Sequence, residues 1–318
     1  MAELASLSVS GSFTLGNTSN VEPGYIWFNG ETNKLEYSYY GATWSVMPSI
    51  STPRISLGGN GEANAALAVG GCDSNFSSVS CTEEYNGTSW SAGGALITAR
   101  YGLSSTGTQN SALAVAGTTG FNGGIACTEE YNGTSWAAGG ALASMRYSGV
   151  ATGTQNAGLF AGGCNCGEGQ TYSCTEEYNG SSWSVGGALI TANGRNMGAG
   201  TQNASLSFGG IGSSAVTEEY NGTSWSASGN LIVGRCSGAA VGTQTSALSI
   251  GGYPSNTAAV QIYDGTSWSV LNDYPLITFN GNAAAGTSTS AITMGGSCQW
   301  PCTVSYYELS SGDQICSI

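Results

Sequence analysis

An all-β fold, a β-propeller of four-stranded blades, is predicted by three observations. The phrase T-E-E-Y-N-G-T-S-W-S recurs, in full at Thr82–Ser91 and Thr217–Ser226. The tryptophans that close its copies, Trp44, Trp90, Trp136, Trp183, Trp225 and Trp268, follow one another at steps of 46, 46, 47, 42 and 43 residues. Gly contributes 51 of the 318 residues and only 8% are charged, which suits short strands joined by tight turns better than helices. A period in this range marks stacked repeats, because one such unit cannot bury its own apolar face.

Aligned on Trp, each unit reads as an Arg slot, a small-residue strand (a), G-T-Q-N, a second strand of the A-L-A-V-G-G type (b), a variable loop, strand T-E-E-Y (c), N-G and the Trp strand (d). Alternation supports strand c, since Glu83 and Tyr85 share one face and Glu84 takes the other. Asn86-Gly87, Asn132-Gly133, Asn179-Gly180 and Asn221-Gly222 predict type I′ c–d hairpins, both residues tolerating positive φ. Arg54, Arg100, Arg146 and Arg235 each fall ten residues after a Trp, in one structural slot; Arg195 lies two positions beyond it, on the same predicted strand face.

Six a–b pairs are legible, with second strands ending at Gly71, Gly117, Gly163, Gly210, Gly252 and Gly296. Counting the Tyr39–Trp44 hairpin and the C-terminal Thr303–Glu308 strand separately gives seven c–d units. Seven blades are therefore favoured, Leu7–Leu15 and Tyr25–Phe28 supplying the missing first pair; six blades with an N-terminal extension is the rival count. A single domain over 1–318 is expected, with 1–50 forming the first blade or an appendage.

The Arg slot, paired glycines, Glu-x-Tyr and spaced Trp resemble kelch repeats, the units of kelch and galactose-oxidase-type propellers, over residues 36 to about 310. The tandem T-E-E-Y-N-G-T-S-W and G-T-Q-N resembles repeat proteins of bacteriophage virions. Gly24–Asn29 and Lys34–Tyr37 are similar to a segment of phage tail-fibre proteins. That resemblance implies a virion component for which 1–50 could serve as the attachment appendage.

The repeated residues read as structural. Glu83, Glu129, Glu176 and Glu218 recur by symmetry, whereas acid–base catalysis needs paired groups in different environments. They are expected to meet Arg54, Arg100, Arg146 and Arg235 as pins between blades, with the tryptophans, each burying about 150–250 Å², filling the space between sheets. Calcium is not favoured at the double Glu, since adjacent strand residues point in opposite directions. The chain has no histidine, which excludes Ser-His-Asp and Cys-His nucleophile systems and the usual zinc and copper sites. No cofactor and no metal are expected, and the kelch resemblance carries the scaffold without copper chemistry. A carboxylate-only glycosidase is the enzymatic alternative, drawing on Glu62, Asp73, Glu168, Asp264, Asp273, Glu308 or Asp313.

Of ten cysteines, Cys72 with Cys81, Cys164 with Cys174 and Cys298 with Cys302 are placed to staple the b–c loop of their own blades. Cys127, Cys166, Cys236 and Cys316 have no evident partner. Such usage suits an oxidising setting, yet the N-terminus lacks the basic stretch and apolar run of a secretory signal. A particle assembled in the host cytoplasm and released by lysis reconciles the two; a secreted adhesin is a further class.

Net charge is −13 with a single Lys, so nucleic acid is excluded as a partner for want of a cationic surface, and no apolar run is long enough for a membrane helix. One face of the ring should carry the uniform G-T-Q-N and N-G turns and the other the variable b–c loops. Asn75, Phe76, Phe121, Asn122, Gln170, Tyr172, Tyr253 and Trp300 on those loops offer aromatic faces and amides for ligand contact. The expected function is a non-enzymatic virion protein, a tail-fibre or receptor-binding propeller meeting a host surface glycan, or else a capsid decoration protein. Its partners would be other virion proteins and the host receptor, with homo-oligomers allowed.

Overall fold

The computed structural model describes residues 42–120, 123–165, 170–253, 260–271 and 281–296, together with the backbone of strands Ile26–Asn29, Lys34–Tyr39, Val304–Leu309 and Gln314–Ser317. It is all-β and forms two compact units, residues 43–308 and residues 1–42 with 309–318.

The larger unit is a propeller. Five antiparallel sheets each use one contiguous stretch in the order a-b-c-d. Blade 1 comprises Gly58–Glu62, Ala65–Val69, Thr82–Tyr85 and Trp90–Ala92; blade 2 comprises Ser104–Thr108, Ser111–Val115, Thr128–Tyr131 and Trp136–Ala138. Blade 3 comprises Val150–Thr154, Ala157–Ala161, Thr175–Tyr178 and Trp183–Val185; blade 4 comprises Met197–Gly200, Ser205–Phe208, Thr217–Tyr220 and Trp225–Ala227. Blade 5 comprises Ala239–Thr243, Ser246–Ile250, Val260–Tyr263 and Trp268–Leu271. A sixth sheet joins Asn282–Gly286, Ser290–Gly295 and Val304–Leu309 to the N-terminal strand Ala42–Met47. The a strands neighbour one another in succession, and that of blade 6 packs on that of blade 1, closing the ring.

The described residues thus form six four-stranded sheets, not seven. The seven-unit count treated the two chain ends as separate blades, whereas the Trp44 strand and the Val304–Leu309 strand are the d and c strands of one blade. The N-terminal strands expected as a first a–b pair do not join a blade: Ile26–Asn29 and Lys34–Tyr39 pair with Gln314–Ser317 in a separate three-stranded sheet of the smaller unit.

The c–d connection also departs from expectation. Tyr85 pairs with Trp90, leaving the four-residue loop Asn86–Ser89 instead of a two-residue type I′ turn. Only Gly87 takes a positive φ, of 89°, and the Asn86 side chain does the work of the turn: its Oδ1 accepts the N–H groups of Thr88 and Ser89 at 3.0 and 2.9 Å. Asn132, Asn179 and Asn221 repeat this, and in blade 5 Asp264 does the same with Thr266 and Ser267. Those hydrogen bonds hold the Asp264 carboxyl down at about 2.

Each letter of T-E-E-Y has a distinct partner. The Thr hydroxyl accepts the indole N–H of the next blade's Trp: Trp136 on Thr82, Trp183 on Thr128, Trp225 on Thr175 and Trp268 on Thr217, at 2.9–3.0 Å. The second Glu accepts the phenol of the next blade's Tyr, as Glu84 does from Tyr131 and Glu130 from Tyr178. Within blades 1 to 5 the Tyr and Trp rings lie opposite across c and d, with centroids 4.8–5.1 Å apart. The turn Gln reaches back one blade: Gln109 donates to the carbonyls of Ala66 and Tyr85, and Gln155, Gln202 and Gln244 repeat it.

Trp136, Trp225 and Trp268 are buried and Trp44, Trp90 and Trp183 half-buried, as expected of side chains wedged between sheets. Trp136 packs with Leu67 and Val69 of the preceding blade.

Candidate functional site

The first Glu of each phrase meets the Arg slot. Arg100 Nη1 lies 2.7 Å from Glu129 Oε1 and Arg146 Nη1 lies 2.8 Å from Glu176 Oε1, and Arg54 bonds Glu83 likewise; all three guanidiniums are fully buried. These pairs are not the expected pins between blades. Each Arg precedes strand a of the blade whose strand c carries its Glu, so the pair fastens the incoming d–a connection to its own blade. The carboxylate also accepts backbone N–H groups of that connection, Ser51 on Glu83 at 2.7 Å and Ile97 on Glu129 at 2.8 Å. Burial pushes the Glu83 carboxyl upward, but the bonds from Ser51 and Arg54 outweigh it and hold it below its ordinary range. At Arg100 desolvation prevails over Glu129 and lowers the guanidinium.

Two blades break the pattern. In blade 4 the slot is Asn193, which donates to the Gly209 carbonyl, and Glu218 keeps only its backbone donors, Ile190 and Thr191. In blade 5 Arg235 stands opposite Gln261, whose Oε1 accepts the same two N–H groups, here of Ile232 and Val233. Burial pushes Arg235 down to about 10. Arg195 is not on a strand face: it is exposed, with φ of 55°, one residue before the buried Asn196.

Arg195 belongs to a feature without a sequence signal. Ser56, Gly102, Ser148, Arg195, Ser237 and Gly281 stand just ahead of the six a strands, all with φ between 52° and 71°. Each N–H donates to the carbonyl of its counterpart one blade back: Gly102 to Ser56, Ser148 to Gly102, Arg195 to Ser148, Ser237 to Arg195, Gly281 to Ser237 and Ser56 to Gly281, at 2.7–2.9 Å. Six backbone bonds thereby form an unbroken hoop around the channel. At 102 a Cβ would sit 3.1 Å from the Ser148 Oγ and 3.1 Å from the Tyr147 ring, closer than ordinary contact, while Ser56, Ser148, Arg195 and Ser237 carry side chains at the same left-handed φ.

The hoop rims a cavity of about 160 Å³ at one end of the channel. The end is the variable one, since the residue after each slot is bridged to the start of its b–c loop: Ile55 to Cys72, Tyr101 to Thr118, Tyr147 to Cys164 and Cys236 to Tyr253. Arg195, Asn196, Asn282 and Ser105 line the cavity, and the Asn196 Oδ1, the Ser105 Oγ and both amide atoms of Asn282 are buried without a hydrogen-bond partner. The opposite end is walled by the glycine-rich a strands and reaches Glu62.

The loop residues singled out from sequence are spread around this face. Phe76 is 61% exposed on a loop turned by Asp73, whose Oδ1 accepts the N–H groups of Asn75 and Ser77. Gln170 is exposed on a small hairpin with Asn165, Tyr172 is half-buried against Asn193, and Tyr253 is 56% exposed. None of these lines the channel cavity. Phe121, Asn122, Trp300, Cys166, Cys298 and Cys302, and the side chain of Cys316, lie outside the described residues, as do the side chains of Glu168, Asp273, Glu308 and Asp313.

The expected Cys72–Cys81 and Cys164–Cys174 staples are absent among the described residues, where Cys72, Cys81 and Cys174 are free thiols, as are Cys127 and Cys236. Register explains this: Cys72 is bridged to Ile55 and Ser78, while the Cys81 carbonyl takes the Gly70 N–H, so the two thiols do not face each other. Burial, then Asp73, pushes the Cys72 thiol to about 11. No group of three or more potential metal ligands occurs among the described residues.

This geometry defines a β-propeller. Its architecture is similar to the solved structure of YjhT, a propeller, with a TM-score of 0.69 at 11% identity over 86% of this chain and all of that one. No protein-family model matches the chain. No curated protein matches it either.

Proposed function

We propose that this protein is a non-enzymatic recognition propeller of a phage virion, built of kelch-type blades and borne on a tail fibre or receptor-binding structure, with its variable face meeting a host surface glycan. The observation that carries the reading is the contrast between the two faces. One presents the same two turns in blade after blade. The other carries loops of different length and sequence around a polar cup. On such a scaffold, chemical individuality is where recognition is built.

The carboxylates support the same reading. In blades 1 to 3 the first Glu is taken by Arg and backbone N–H groups and the second, where its partner is described, by the next blade's Tyr. A retaining or inverting glycosidase needs two carboxyl groups free to face a sugar, about 5–10 Å apart. The repeated glutamates are committed elsewhere, and of the acids outside the repeat Asp73 and Asp264 are occupied by backbone N–H groups of their own turns.

Binding of fluorescent protein to host cells, before and after enzymatic stripping of surface polysaccharide, tests the reading, with electron microscopy of labelled particles to locate the protein. Glycan-dependent binding and label at the tail support it. A shell-wide lattice of label would favour capsid decoration, and release of sugar on incubation would favour an enzyme.

A further inference from the structure

We propose that the seam between blades 6 and 1 holds an arginine seat, a notch on the uniform face in which the guanidinium of a partner protein's arginine stands in for a glutamine that this seam lacks. This goes beyond the glycan reading and concerns the opposite face. At four seams the turn Gln donates its Nε2 to two carbonyls of the preceding blade: Gln109 to Ala66 and Tyr85, Gln155 to Ala112 and Tyr131, Gln202 to Gly158 and Tyr178, and Gln244 to Ser205 and Tyr220. The two acceptors are residues opposite each other on strands b and c, as Ala112 and Tyr131 are. In blade 6 the corresponding pair is Ala291 and Tyr307. The donor would come from blade 1, whose turn carries Ala63 at the Gln position. Between blades 5 and 6 that position is Ser288, which is buried and hydrogen-bonded to the Ser246 Oγ at 2.7 Å. Ala63 has no donor to offer.

A cavity of about 210 Å³ lies where the side chain is cut short, lined by Glu62, Ala63 and Asn64 of blade 1 and by Thr287 and Ser290 of blade 6. Glu62 and Asn64 are exposed, so it opens to solvent at the turns. A second departure adjoins the first. Every other blade places Thr where blade 1 places Glu62, at Thr108, Thr154, Thr201, Thr243 and Thr287. The register thus brings to this seam an acceptor pair of the kind that elsewhere takes an NH2 group, and Glu62 adds a carboxylate. A guanidinium has five donors in one plane and a fixed charge, enough for both carbonyls and the carboxylate; a primary amide has no charge for Glu62, and an ammonium has no planar fork. The volume equals roughly seven waters of liquid, room for a guanidinium and its adjoining methylenes. The arginine must come from a partner, since four of this chain's five are fully buried and Arg195 lies at the other end of the channel. A net charge of −13 favours a cationic partner.

The test titrates N-acetylarginine methylamide, with its lysine and citrulline counterparts, by calorimetry against the full chain and the variants Ala63→Gln and Glu62→Thr. Each variant installs a residue that other blades of this chain already carry at that position, so the fold should persist; thermal unfolding checks it, and Ala63→Gln should melt higher because it supplies the missing stitch. Expected are binding of the arginine probe by the parent in preference to the other two, and a weakening of about tenfold or more in Ala63→Gln, where the protein's own amide takes the carbonyls. A loss of roughly two- to fivefold is expected in Glu62→Thr, the scale of an ion pair near the surface, together with a narrower preference for arginine over citrulline. Absence of binding by the parent, a preference for the lysine or citrulline probe, or unchanged affinity in a folded Ala63→Gln overturns the seat. Should Ala63→Gln not fold, Glu62→Thr decides: a narrowed preference upholds the seat and an unchanged one overturns it. Cell binding through the variable face is independent of either result.

Discussion

Tyr131 of blade 2 donates its phenol to Glu84 of blade 1 at 2.6 Å and accepts the Gly94 N–H on the same oxygen at 3.2 Å. Sheet-on-sheet packing is non-directional, so this bond sets the register between neighbouring blades. Tyr178 on Glu130, Tyr220 on Glu177 and Tyr263 on Glu219 repeat it.

Tyr131→Phe keeps the ring against Trp136 and removes only the oxygen. The expected loss is about 1.5–3 kcal/mol, the range for a hydrogen bond to a charged group. Urea unfolding of parent and variant measures it, and a change under about 0.5 kcal/mol would mean that Glu84 and Gly94 recover their bonds from water.

Glu129→Gln strikes a different element, the buried clamp on the d–a connection. It leaves Arg100 charged and fully buried without its carboxylate, which should cost about 3–5 kcal/mol, more than the tyrosine variant. The same urea titration ranks the two, and an inverted order would refute the distinction drawn between clamp and seam.

Stability should fall at both ends of the pH scale, through different groups. The Glu83 carboxyl is lowered in the fold, so its contribution is present above the ordinary value of 4.5 and is lost as pH falls through the lower folded value. Tyr131, Tyr178 and Tyr263 are raised to about 12 by burial and by the carboxylate each one bonds. Their contribution is complete below 10 and lost as pH rises from 10 towards 12. Unfolding free energy followed against pH should show both limbs, with the alkaline limb shallower in Tyr131→Phe.

Thiol labelling separates the cysteines. Cys127 is exposed and should react with a disulfide reagent in the native protein, whereas Cys72 and Cys236 are buried and should wait for unfolding. Reductant should leave the melting temperature unchanged; a fall of several degrees would restore the stapled loops.

Most of the propeller was legible because its determinants are local and repeated: the Trp period, the N-G loops and the alternation of T-E-E-Y each specify a strand or turn. The blade number was not, because Trp44 and the Val304–Leu309 strand share a sheet while standing at opposite ends of the chain, and adjacency in sequence says nothing of that. The Arg–Glu pairing was legible as chemistry but not as geometry, since the spacing from Arg54 to Glu83 does not reveal which sheet the connection enters. The roles of Thr82 and Gln109 carried a signal, their recurrence in every full repeat. The hoop carried none, because backbone atoms make it and its residues vary from Ser to Gly to Arg. Arg195 was visible only as a residue out of step.

The shared sixth sheet has a consequence for synthesis. Its outer strand, Ala42–Met47, is made before the five contiguous blades and its partner, Val304–Leu309, after all of them. Until then the five contiguous sheets can form only an open arc, with the Trp90 flank of blade 1 and the far flank of blade 5 uncovered. The sixth sheet is therefore complete only when Val304–Leu309 lies between its own blade's second strand and Ala42–Met47, and a chain cut before residue 304 lacks the strand that joins the two.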